Sequence, residues 1–171
     1  SEQRQAYRTT MDTIETEYGK ATTQQERVQT IDRLINAFGG YENLDSTQAT
    51  VLFNLCSQND YFQGMTQLFE KTGDNAADFR NYDVNEELYY VALNKTGRWE
   101  ETIQKITALD SVTVEMCAAL AKAYYIGYET TNNYEYLNNS YNAYLEGYKV
   151  SYDYYLGINA AYKLLEMASL E

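Results

Sequence analysis

Few residues of this 171-residue chain could do bond chemistry. Adjacent carboxylates occur at Glu86-Glu87 and Glu100-Glu101, and two thiols occur at Cys56 and Cys117. Two carboxylates can divide acid and base work when both face one substrate. Neighbouring residues on a helix point about 100° apart, so neither pair converges. Both pairs open helical stretches, where acids complement the positive end of the helix dipole. The cysteines are far apart and match no metal-ligand spacing. Each sits in an apolar helical run, 52–56 and 116–120, where a free thiol packs as a small hydrophobe. Histidine is absent altogether. That removes the commonest general base, every histidine-dependent triad and most zinc and iron sites. Neither a glycine-rich phosphate loop nor a dinucleotide fingerprint occurs. These residues predict a non-enzyme, with no catalytic residue, no metal and no cofactor.

Charge points the same way. With 25 acidic against 13 basic side chains the formal net charge is −12. No run of Lys and Arg offsets it, so phosphate backbones and anionic membrane surfaces are repelled. The expected partner is a protein or peptide, with no nucleic acid and no membrane. No stretch approaches the roughly 18 apolar residues of a membrane span, and residues 1–7 lack a signal-peptide core, so the expected location is cytoplasmic. Tyrosine is abundant at 19 residues. It suits half-buried seams and interfaces, because the ring covers apolar area while the hydroxyl keeps a hydrogen bond.

The elements that must position these side chains are helices. Tyr7, Met11, Ile14 and Tyr18 recur at steps of three and four, as do Val28, Ile31, Leu34, Ile35 and Phe38. Gly39-Gly40 ends the second helix, and Asp45-Ser46-Thr47 offers N-cap oxygens to a third. Further helices are expected over 61–71, 84–95, 98–109, 112–128, 134–150 and 152–168, about nine in all. Polar connections are expected at 75–83 and 130–133. The chain therefore reads as all-α, a single domain over 1–171 built as an α-solenoid of stacked antiparallel helix pairs, and as a piece that could belong to a longer protein.

Internal repetition sharpens this. Asn59-Asp60-Tyr61 and Gly97-Arg98-Trp99 resemble the turn between the A and B helices of a tetratricopeptide repeat. Tyr61 and Trp99 stand 38 residues apart, near the 34 of that repeat. A small residue follows three positions later, Gly64 or Thr102, and then Leu68 or Ile106. A third unit has Leu120, Ala121 and Tyr124 in its A helix and Ser140, Tyr141 and Tyr144 in its B helix. The connection between them is about seven residues longer than standard.

The last third carries a narrower resemblance. Tyr144, Gly147 and Tyr148, then Tyr154, Tyr155 and Gly157-Ile158-Asn159-Ala160-Ala161, resemble the end of the TRAF-binding central regulatory region of mitogen-activated protein kinase kinase kinases of the apoptosis signal-regulating type. Similar segments occur in bacterial tetratricopeptide proteins, and the Asn, Thr and Tyr content resembles a bacterial homologue. Leu156 stands where that pattern often has proline, and Tyr162-Lys163 where it favours threonine and leucine. The resemblance implies regulatory repeats that gate an attached effector domain in signalling. In residue terms, Gly157, Ala160 and Ala161 would let the last helix lie against Tyr144 and Tyr148, with Asn159 capping or bridging the seam.

The function these features predict is a non-catalytic scaffold that receives a peptide or partner protein on its concave, A-helix side. The partner-binding positions predicted by counting from the turn aromatics are Phe53, Ser57, Glu87, Val91, Asn94, Lys122 and Tyr125. An alternative is a small-ligand sensor for a sugar or nucleotide, using the tyrosines between Tyr124 and Tyr162. Exposed helix faces at the ends of the array would also suit a second copy of the chain.

Overall fold

A computed structural model describes all residues, Ser1–Glu171. It is all-α and built from antiparallel helix pairs of the tetratricopeptide-like α-solenoid class, as the helical spacing requires. The helices are α1 Glu2–Tyr18, α2 Gln24–Ala37, α3 Ser46–Gln58, α4 Phe62–Lys71, α5 Ala77–Arg80, α6 Asp83–Lys95, α7 Trp99–Thr107, α8 Val114–Thr131, α9 Tyr134–Ser151 and α10 Tyr154–Ser169. None is long and apolar enough to cross a membrane. The chain divides into two compact units, Ser1–Glu86 and Glu87–Glu171.

In the first unit, α1 pairs with α2 and α3 with α4. Gly39 and Gly40, at φ +100° and +89°, end α2 in a conformation that costs a glycine little. Asp45 and Gln48 then form a reciprocal capping box that starts α3. The inward faces bury Ile31, Leu34, Ile35, Leu52, Phe53, Met65 and Leu68. The 75–83 segment is not a plain connection. It holds a 3-10 turn, Asp74–Ala76, and the short α5, which raises the helix count to ten. Phe79 is the reason: it is buried and meets the edge of Phe53 at 5.1 Å between ring centroids.

In the second unit α7, α8, α9 and α10 each pack on the next. Helix α8 is capped by Thr113, whose hydroxyl accepts from the Met116 N–H. The lengthened connection of the third repeat is absorbed as helix. Here α8 and α9 run 18 residues each, against 13 for α6 and 9 for α7. Left-handed Asn132 and the N-cap Asn133 complete a tight turn where a longer loop was expected.

The small residues of the B helices sit where close approach needs them. A Cβ on Gly64 would come within 2.9 Å of Cys56 Sγ on α3. Thr102 is buried with its Oγ1 3.5 Å from the Tyr90 carbonyl, and Ser140 Oγ donates to the Ala121 carbonyl at 2.8 Å. Positions 64, 102 and 140 are equally spaced and serve three successive hairpins. The turns themselves differ by a residue, since the left-handed position is Asp60 in one and Gly97 in the other. On α10, Gly157 lies against the Tyr148 ring and Ala160 is buried beside Tyr144. Ala161 is exposed, and Asn159 donates to the Tyr155 carbonyl of its own helix, so it does not bridge the seam.

Candidate binding cleft

Helices α6 and α8 present matching three-residue faces. Val91, Asn94 and Lys95 on α6, and Lys122, Tyr125 and Ile126 on α8, follow the i, i+3, i+4 rule that aligns side chains on one side of a helix. The opposite sides are apolar and go into the core as Ala92, Leu93, Ala121 and Ala123. Asn94 ties the two helices together, its Nδ2 donating to the Ala119 carbonyl at 3.0 Å. With Tyr144 from α9 and Lys163 from α10, these residues line a cleft of about 250 Å³ within the second unit.

Aromatic rings hold two of the cations. Lys163 Nζ stands 3.9 Å from the Tyr125 ring centroid and 6.0 Å from that of Tyr144, and Lys122 Nζ is 5.5 Å from Tyr155. Such contacts contribute about 0.5–2 kcal/mol, more as water is excluded. Tyr125 is fixed from its other end, because its hydroxyl donates to both oxygens of Glu166 at 3.1 Å. Burial, that hydrogen bond and the Glu166 charge push the Tyr125 hydroxyl up to about 12. Burial and the neighbouring Tyr155 hold the Tyr144 hydroxyl well above the ordinary tyrosine range. Tyr125 and Tyr144 are thus neutral at physiological pH.

One polar atom here is unpaired. Asn94 Oδ1 is buried and has no hydrogen-bond partner. Rotating the amide would set oxygen against the Ala119 carbonyl, so the observed orientation is the satisfied one and the acceptor is left over.

Of the seven positions predicted from sequence, Val91, Asn94, Lys122 and Tyr125 come together at this cleft. Glu87 lies one turn before Val91 on α6 and accepts from the Thr113 hydroxyl at 2.6 Å, which locks α6 to the start of α8. Ser57 is half-buried on α3 in the first unit. Phe53 is a correction: it is 0% exposed in the core of the first unit, turned inward by its packing on Phe79. Counting from the turn aromatic placed it one face away from where the helix actually shows solvent. The residues missed were Lys95, Ile126, Tyr144 and Lys163. Lys163 did carry a signal, as one of the three positions that depart from the kinase-region pattern.

The acid pairs are used structurally. Glu101 pairs with Arg98, one N–O distance being 2.8 Å, which holds its carboxyl below the usual range, and Glu87 serves Thr113.

Comparison with known proteins agrees with the repeat architecture. The profile of the Tetratricopeptide Repeats-Sensor (TPR-S) family matches residues 61–165, more than half of the chain. No curated protein and no solved structure matches.

Proposed function

The chain belongs to the Tetratricopeptide Repeats-Sensor family, and on that premise we propose that it is a non-catalytic interaction module that takes a peptide or partner protein across the face of α6 and α8. Repeats of this class are generally binding scaffolds, and their A helices line the receiving surface. One observation carries the reading. Side chains from four helices converge on a cleft two of whose three lysines are held by aromatic rings, and a structural seam alone has no use for that arrangement. We read residues 1–171 as one repeat domain, placed in the cytoplasm, which passes occupancy of the cleft to an attached effector. The likeness of its last third to the regulatory region of apoptosis signal-regulating kinases supports that role.

A second reading, sensing of a small ligand, is supported by the word sensor in the family's description and by the half-open cleft. Its volume of about 250 Å³ lies just under the roughly 300–1,000 Å³ of drug-sized pockets. The cleft therefore suits one chemical group better than an extended molecule, and a peptide would anchor there by a single side chain or end.

The test is fluorescence anisotropy of the chain against labelled peptide sets of acidic, neutral and basic composition. Val91→Asp and Tyr125→Ala should each weaken the best peptide about tenfold or more, as central anchors do. Binding untouched by both changes would show that the α6–α8 face is not the receiving surface.

A further inference from the structure

Lys95, Lys122 and Lys163 line one cleft in a protein whose net charge is −12. None has a carboxylate within ion-pair distance, although acids outnumber bases almost two to one. Of the four lysines elsewhere, two are paired with acids, Lys20 with Glu17 and Lys149 with Glu146. Collecting three like charges is unfavourable unless something of opposite sign arrives, since like charges raise each other's energy as they approach. Glu166, one turn from Lys163 on α10, is engaged by the Tyr125 hydroxyl.

From this we infer that the cleft receives a phosphate monoester attached to a small, apolar or aromatic body. The inference rests on reading the cleft as the binding centre of the module. Three separate ammonium groups match a dianion better than a single carboxylate, because each is a compact point charge and a phosphate carries close to −2 at neutral pH. Val91 and Ile126, with Tyr125 and Tyr144 in the same lining, give the attached body an apolar seat. The unpaired Asn94 Oδ1 calls for a hydrogen-bond donor on that body, such as an amide or hydroxyl. A long polyanion is a poor occupant. Away from the three lysines it would meet the acidic excess of the chain, so the charge must be compact.

Isothermal titration of the full chain at low salt, with phenyl phosphate, inorganic phosphate, benzoate and a blocked phosphotyrosine tripeptide, tests this. Phenyl phosphate is expected to bind more tightly than benzoate or inorganic phosphate, and more tightly at pH 7.5 than at pH 5.5, since the second phosphate ionisation lies near 6. Lys122→Gln and Lys163→Gln, shown folded by circular dichroism, should each weaken it about tenfold, the effect of one lost charge-assisted contact. The tripeptide distinguishes the sources: tighter binding than phenyl phosphate assigns the ester to a partner's modified side chain, and equal or weaker binding to a free small molecule. If no phosphate ester binds, or if both lysine variants bind it unchanged, the inference is wrong. Should peptides still bind across α6–α8 in that event, the interaction reading survives and only the chemistry of the occupant falls.

Discussion

Lys163 on α10 and Tyr125 on α8 form a cation–π pair with 3.9 Å from ammonium to ring centroid. Glu166, one turn along α10, takes the hydroxyl of the same ring. The last helix thus grips a single side chain of α8 from its face and from its tip. It thereby supplies both a wall and a charge to the cleft.

That grip makes alkaline stability a readout. Tyrosine ionises near pH 10 in an unfolded chain, and Tyr125 at about 12 in the fold. The folded state therefore favours the neutral phenol. Its contribution is complete below pH 10 and is lost as pH rises from there towards 12. Absorbance titration at 295 nm should show a late-ionising group that Tyr125→Phe removes. If the absorbance lost in the variant instead titrates near pH 10, the Tyr125 hydroxyl is not held in solution.

Gly127 on α8 tests the closeness of the helices. In an open helix interior, Gly→Ala would stabilise by about 0.5–1 kcal/mol. Here the new Cβ would stand 2.8 Å from the Trp99 ring and 3.2 Å from Tyr136. Trp99 is buried and packed edge-on to Tyr136 at 5.4 Å, so it has little room to retreat. Overpacking of this kind costs about 1–3 kcal/mol, so Gly127→Ala should lower the melting temperature. A rise would show that the α7–α8 seam is looser than described.

Phe53 separates core from contact surface. Phe53→Ala should destabilise by about 3–5 kcal/mol through the cavity it leaves beside Phe79, as read by urea unfolding. Peptide or phosphate affinity at the cleft should stay within about twofold while the protein remains folded, since the cleft lies wholly in the second unit.

The two thiols should differ in reactivity. Cys56 is fully buried, and burial pushes its thiol up to about 12, with the Asp32 charge adding to the shift. Cys117 is only partly buried and its thiol is raised as well, by burial and Glu146. Because the thiolate is the reacting species, Cys56 should resist alkylation at pH 8 until the protein is unfolded. Rapid labelling of Cys56 in the native state would mean that α3 and α4 separate easily.

What the sequence determined by itself was the helical period, the caps and the spacing of small residues. Those properties are local: the i, i+3, i+4 recurrence of Ile31, Leu34 and Ile35 needs no partner to be visible, and neither do Gly39-Gly40 or Asp45 with Gln48. The tetratricopeptide register at 64, 102 and 140 was legible for the same reason, each small residue following an aromatic or apolar opening of its B helix. Four of the cleft residues were within reach because two helices repeat the same face.

Tertiary structure decided the rest. Whether Phe53 meets solvent depends on Phe79, far along the chain in a segment whose polar composition hid a helix. Whether Lys163 is a stray surface charge or part of the cleft depends on where α10 crosses Tyr125. Helix periodicity says which residues share a face, but only packing says what that face meets, because burial and charge pairing are properties of two segments at once.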